Sequence, residues 1–242
     1  MMINQLVRAM LLSIKDTEEY ESIPAEDKKR LEEILAFVGG EEVDAFLEKM
    51  KSVPDSLYQI KVTLKGSKPP IWRRIIVPSD YSFSELHSVI QVAMGWLDMH
   101  LYSFEVGDVL IEESNEEDLF GNLFSAREKM GAEETLISEL LLKEGDKCLY
   151  TYDFGDDWEH TILLEKILSP DDSFVGPICV KGKRACPPED CGGIHGYEYL
   201  LEVLNGPDSE EKEEFLEWLG DDFDPELFEV DVINYLLMEE LY

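Results

Sequence analysis

The feature that most constrains this chain is a change of hydrophobic period at residue 57. From there Tyr58, Ile60, Val62 and Leu64 alternate with Gln59, Lys61 and Thr63, the pattern of a strand with one face buried. Lys68-Pro69-Pro70 follows as a turn, because pyrrolidine rings fix φ and remove ladder donors. Ile71 to Val77 then has the β-branched content of a partner strand. Two further hairpins are expected. One joins Leu101–Val106 to Val109–Ile111 around Gly107-Asp108, and the other joins Lys147–Asp153 to Trp158–Leu168 through Phe154-Gly155-Asp156-Asp157.

Helical spacing fills the remainder. Leu86, Val89, Ile90, Ala93, Met94 and Leu97 form one stripe, with Ser82 or Ser84 as cap and Gly95 near the end. Glu112 to Glu134 is acidic and weakly periodic and reads as a surface excursion, followed by a short helix near Leu136–Leu142. Helices are expected near Gly196–Leu204, Glu210–Leu219 and Val230–Leu241. Strands first and helices last predict an α+β fold, a largely antiparallel sheet built from hairpins with helices packed against it.

Before the sheet, Ile3, Leu6, Val7, Met10, Leu11 and Ile14 keep a helical period, as do Leu31, Ile34, Leu35 and Val38 after Pro24, and Val43, Phe46, Leu47 and Met50 before Pro54. Residues 1–52 therefore read as a helical N-terminal extension to a domain over 57–242. Packing on one another or on that domain is the expectation, and a partner-binding arm is the alternative.

Apolar residues make up 44% of the chain, enough to offset ordering entropy, so its heavy charge does not imply disorder. The charge is lopsided: 54 Asp plus Glu against 21 Lys plus Arg, a net −33. Direct nucleic-acid binding is disfavoured, since that affinity comes largely from cations displacing condensed counterions, and the basic patch of Lys181, Lys183 and Arg184 is small. Anionic membranes are disfavoured likewise, whereas basic proteins and divalent cations fit as partners. No run approaches the roughly 20 apolar residues a bilayer requires. Arg8 interrupts the first apolar stretch with no cationic region before it, which argues against a signal peptide and for a cytoplasmic protein. Four cysteines, three of them between Cys179 and Cys191, suit reduced thiols or a metal better than a disulfide framework.

Three strings stand out: Lys68-Pro69-Pro70-Ile71-Trp72-Arg73-Arg74, Tyr152-Asp153-Phe154-Gly155-Asp156-Asp157-Trp158-Glu159-His160, and Ala185-Cys186-Pro187-Pro188-Glu189-Asp190-Cys191-Gly192-Gly193. Together with Gly196-Tyr197 and Asp222-Phe223-Asp224-Pro225, they resemble the plasmid pRiA4b ORF-3-like family from about residue 57 onward. The resemblance implies a compact α+β domain, often encoded on mobile elements, and implies no particular activity. The segment before residue 57 lies outside it.

Two constellations carry candidate chemistry. Cys179, Cys186, Cys191 and His195 offer three thiolates and an imidazole, a set that suits tetrahedral zinc. Its Cys-x6-Cys spacing is wider than the usual knuckle, and the alternative is a Pro/Gly loop with free thiols. The second gathers Asp153, Asp156, Asp157, Glu159 and His160 around a turn, with His100, a group able to hold a divalent cation; Glu189 and Asp190 from the third string complete the candidate functional cluster. Against this, Trp158, His160, Ile162 and Leu164 share a strand face, which predicts a packed, hydrogen-bonded His160 with Glu159 and Glu165 on the other side. Aspartates and Gly155 are equally what a tight turn demands. Arg73 and Arg74 face opposite ways on their strand, and an ion pair to an internal carboxylate is preferred over an anion clamp.

No nucleophile–base set, P-loop or dinucleotide fingerprint is evident. The leading expectation is a non-catalytic binding or interaction module. The alternatives are a zinc-binding protein or metal-dependent enzyme, and an acidic mimic of nucleic acid.

Overall fold

The computed structural model describes residues 54–113, 127–170, 174, 176–220 and 223–241. The expected helices of residues 1–52 and much of the acidic excursion lie outside them.

The predicted first hairpin forms as β1 (Leu57–Leu64) and β2 (Trp72–Pro78), paired antiparallel with Val62 opposite Arg73. The other two form as β3 (Tyr102–Val106) with β4 (Val109–Glu112), and β6 (Lys147–Tyr152) with β7 (Trp158–Leu168). Two strands were not expected. β5 (Glu128–Gly131) lies within the supposed acidic excursion and runs parallel to β4. β8 (Ile178–Lys183) takes the start of the cysteine segment and pairs with β2. Both are short and sit at the sheet edges, where local pattern is weak and pairing with a neighbour decides. Among the described residues eight strands form one sheet in the order β5-β4-β3-β6-β7-β1-β2-β8. All pairings are antiparallel except β4 with β5.

The alternation read from the sequence sets which face is dry. Ile60, Val62 and Leu64 of β1, Ile75 and Val77 of β2, Tyr150 and Tyr152 of β6, and Trp158, Ile162 and Leu164 of β7 are all buried. Residues of opposite parity, such as Gln59, Lys61, Glu159 and Glu165, remain partly exposed. Onto this face packs α1 (Phe83–Met94). Ser82 accepts a hydrogen bond from the Glu85 N–H, the Glu85 carboxylate answers to the Ser82 N–H, and Gly95 closes the helix in the left-handed region at φ 88°. Phe83, Leu86, Val89 and Ile90 are wholly buried beneath it.

The two arginines of β2 divide as the strand period requires. Arg74 points outward and pairs in two-pronged fashion with Glu165, at 2.5 and 2.8 Å, the ion pair preferred from the sequence. Arg73 is buried, and its guanidinium donates to the carbonyls of Ala93, Trp72 and Lys183. The first of these lies in the last turn of α1, where carbonyls lack intrahelical partners, so Arg73 both satisfies one and counters the negative helix end.

The remaining helices of the described residues are α2 (Ile137–Leu140), α3 (Gly193–Asn205), α4 (Glu210–Leu219) and α5 (Val230–Leu241). Helix α5 packs on β8 and α1. Its Asn234 accepts from the Cys179 N–H at 2.7 Å and donates to the Cys179 carbonyl at 3.0 Å, covering an otherwise open sheet edge. Among the described residues no helix is long and apolar enough to cross a membrane.

Candidate functional site

Three connections converge beside the end of β6. The first is the loop Trp96–Leu101 after α1, which carries His100. The second is the β6–β7 turn, Asp153 to Asp157. The third is the segment between β8 and α3, which carries Glu189 and Asp190.

The first loop is held to α1 and β6 by a buried network that sequence reasoning missed. His87 Nδ1 lies 2.8 Å from the Tyr150 hydroxyl, and its Nε2 lies 2.7 Å from an Asp98 carboxylate oxygen. Gln91 Nε2 donates to the same hydroxyl at 2.9 Å, and Gln91 Oε1 accepts from the Asp98 N–H at 3.1 Å. A carboxylate only accepts, so Nε2–H donates to Asp98 while Nδ1 accepts from Tyr150. Burial lowers the pKa of His87 and favours this neutral form, with Asp98 opposing. The ring stacks on Tyr102 at 3.6 Å. The available sequence signal was slight: a histidine on an apolar helix stripe looks like core, and its partner eleven residues on is visible only once the loop turns back.

The second element is a turn whose residues serve its own backbone. Asp153 and Asp157 sit at φ 55° and 51°. Asp153 Oδ1 accepts from the Gly155 N–H at 2.9 Å, and its backbone N–H reaches the Leu101 carbonyl. The third segment is clamped to both others. Glu189 takes the Leu97 N–H on one oxygen at 3.0 Å and the Tyr152 hydroxyl on the other at 2.5 Å, while Tyr152 accepts from the Met99 N–H. Trp96 donates its indole N–H to the Pro187 carbonyl, and Asp156 accepts from the Gly192 N–H. Glu189 and Asp156 are thus occupied in holding the loops.

What these clamps assemble is a cluster of His100, Asp153 and Asp190. His100 Nε2 lies 3.2 Å from Asp190 and 3.8 Å from Asp153, and one ligand atom from each residue falls within 4.8 Å of the others. Exposure is graded: the Asp153 side chain is 12% exposed, His100 30% and Asp190 73%. An imidazole with two carboxylates is a hard-to-borderline donor set that suits divalent transition ions.

The other sequence candidates lie elsewhere. His160 is fully buried, its Nδ1 near the Trp158 carbonyl at 2.9 Å, and burial pushes its pKa down to about 3. Trp96 stands edge-on to it at 5.3 Å, so it belongs to the core. Glu159 pairs with Lys65 on the opposite face of the sheet. Asp157 contributes its N–H to the turn, bonded to the Asp153 carbonyl.

The four residues of the supposed zinc set are not drawn together into one group among the described residues. Cys179 is on β8. Cys186 and Cys191 lie in the loop that follows, and burial raises all three thiols, Cys191 to about 12. His195 sits on α3, 92% exposed, beside Glu198. Cys179 is buried in the strand ladder of β8 whereas His195 faces solvent on α3, so the first and last residues of the set sit in different environments.

The family model described as plasmid pRiA4b ORF-3-like protein matches residues 56–232. An uncharacterized protein, y4hQ, from Sinorhizobium fredii (strain NBRC 101917 / NGR234) is 38% identical over 165 residues, covering 68% of this chain and 81% of that one. The crystal structure of a protein of unknown function, MM3350, from Methanosarcina mazei Go1 aligns with a TM-score of 0.65 at 40% identity, covering 74% of this chain and 97% of that one.

Proposed function

Taking as premise that the chain belongs to the plasmid pRiA4b ORF-3-like family, we propose that it is a binding module holding one divalent cation between His100, Asp153 and Asp190. The observation that carries this reading is the convergence of those three side chains from three separate connections, with their ligand atoms within 4.8 Å of one another. Three protein ligands leave coordination positions open, so the cation would anchor a ligand rather than serve only as a structural staple. The graded exposure supports approach from the Asp190 side. Leu97, Met99 and Leu101 around His100 are 77%, 73% and 58% exposed, and Phe154 beside Asp153 is 48% exposed. An apolar rim of this kind suits recognition of a partner surface. A cytoplasmic location fits the four unpaired cysteines.

The test is calorimetric titration of the chelator-treated protein with Zn²⁺ and Mn²⁺. One saturable site is expected, weakened at least tenfold in His100→Ala and in Asp190→Asn. Absence of saturable binding by either ion, or equal affinity in the doubly substituted protein, overturns the proposal.

A further inference from the structure

Helices α3 and α4 lean together around a cleft of about 370 Å³, lined by Tyr199, Leu200, Phe215 and Trp218 with the carboxylates Asp190 and Glu214. This is an unusual surface for an acidic protein to leave open. Tyr199 is 48% and Trp218 50% exposed, although either indole or phenol is normally worth burying. Their placement is held by local contacts. The Tyr199 hydroxyl donates to Glu211 at 2.7 Å, its ring meets Phe215 at 6.4 Å and 78°, and Phe215 meets Trp218 at 6.5 Å and 47°. Three aromatic rings at mutual angles therefore border one cavity.

The charge around the cleft has one sign. None of its lining residues is cationic. The nearest lysine along α4, Lys212, turns its ammonium back to the Gly206 carbonyl and Asp208. Two carboxylates exclude an anion, and a net charge of −33 concentrates cations near the surface. Aromatic faces present negative quadrupole to a cation, yet they cannot replace the water of a small metal ion. A weakly hydrated organic cation loses little on entering such a cleft and gains both the ring faces and the carboxylates.

We infer that the α3–α4 cleft is a binding site for the alkylammonium group of a small organic cation, with Tyr199, Phe215 and Trp218 as its walls and Glu214 as counter-charge. The cleft volume matches a small ligand rather than an extended surface. The cleft adjoins the His100–Asp153–Asp190 cluster. Asp190 borders both, but the aromatic walls belong to the cleft alone.

The test uses choline and its uncharged isostere 3,3-dimethylbutan-1-ol, titrated calorimetrically into the full chain without divalent ions. Saturable choline binding is expected, with the neutral isostere weaker by roughly tenfold or more. Trp218→Leu keeps an apolar side chain at a half-exposed position and should weaken choline binding roughly tenfold while leaving thermal unfolding nearly unchanged. Glu214→Gln should weaken it about threefold, less so in high salt. Equal binding of the isostere, or unaltered choline affinity in Trp218→Leu, overturns the assignment. A peptide carrying trimethyllysine supplies the other arm: binding of that peptide with none of free choline overturns the small-molecule source. Loss of divalent-ion binding in His100→Ala with choline binding intact is expected if both sites exist. Choline binding without any divalent-ion site would sink only the proposed function above.

Discussion

Asp156 accepts a hydrogen bond from the backbone N–H of Gly192 at 3.1 Å, joining the β6–β7 turn to a segment 36 residues further along the chain. Through this contact, and through Tyr152 with Glu189, the turn and the Asp190 loop behave as one unit against which His100 is set. Stability and site geometry should therefore be linked at the contact points.

Tyr152→Phe removes the hydroxyl that accepts from the Met99 N–H and donates to Glu189. Both partners lie near solvent, so the stability cost should be small, about 1 kcal/mol. The His100 loop and the Asp190 loop keep the Leu97–Glu189 and Trp96–Pro187 bonds but lose the bridge through this hydroxyl, and divalent-cation affinity should fall several-fold. Calorimetric titration beside a urea melt separates the two effects; a large stability loss with unchanged affinity would show the hydroxyl to be purely structural.

Close approach makes two glycines of α3's first turn irreplaceable. A Cβ on Gly196 would lie 1.8 Å from the Cys191 carbonyl oxygen, and one on Gly193, already at φ 67°, would lie 2.4 Å from that of Asp156. Neither neighbour is a flexible side-chain tip, so the loop itself must move. Gly193→Ala and Gly196→Ala should each cost at least about 2 kcal/mol. Both should also weaken cation binding, because the displaced segment carries Asp190. Unaltered denaturation midpoints would contradict the packing described here.

Acid should destabilise the fold through His87 and His160, both of whose pKa values are lowered by burial, the latter to about 3. In the unfolded chain each titrates near ~6.5. Above that value neither state binds the proton and no dependence arises. Below it the unfolded chain takes up protons that the folded one refuses, so stability falls as pH falls, by up to about 1.4 kcal/mol per pH unit for each histidine. Urea midpoints should be flat from roughly pH 8 to 7 and decline from roughly pH 6.5 to 5. His160→Gln should make the decline shallower; a level profile through that range in the parent protein would show that neither histidine is held neutral.

How much of this was legible in the chain follows from the range of the forces involved. Period-two alternation in β1 and β7 and helical spacing in α1 are local signals, and they set the strands, their buried faces and the core position of His160 without reference to any distant residue. The same parity sent Arg73 inward and Arg74 outward. The α+β class and the family resemblance rested on such strings, and the comparisons bear both out.

Position in space was decided by tertiary structure alone. β5 and β8 exist because a neighbouring strand offers them a ladder, which their own short sequences do not announce. The sequence offered His100, Asp153 and Asp190 beside Asp156, Glu159, His160 and the cysteines, but only folding brings those three together. Strand parity turned Glu159 away to Lys65, and folding buried Cys179 in β8 while leaving His195 exposed on α3. The contacts that group His100, Asp153 and Asp190 and those that tie Glu189 and Asp156 into clamps are made by side chains far apart in sequence, and periodicity reports only on neighbours along the chain.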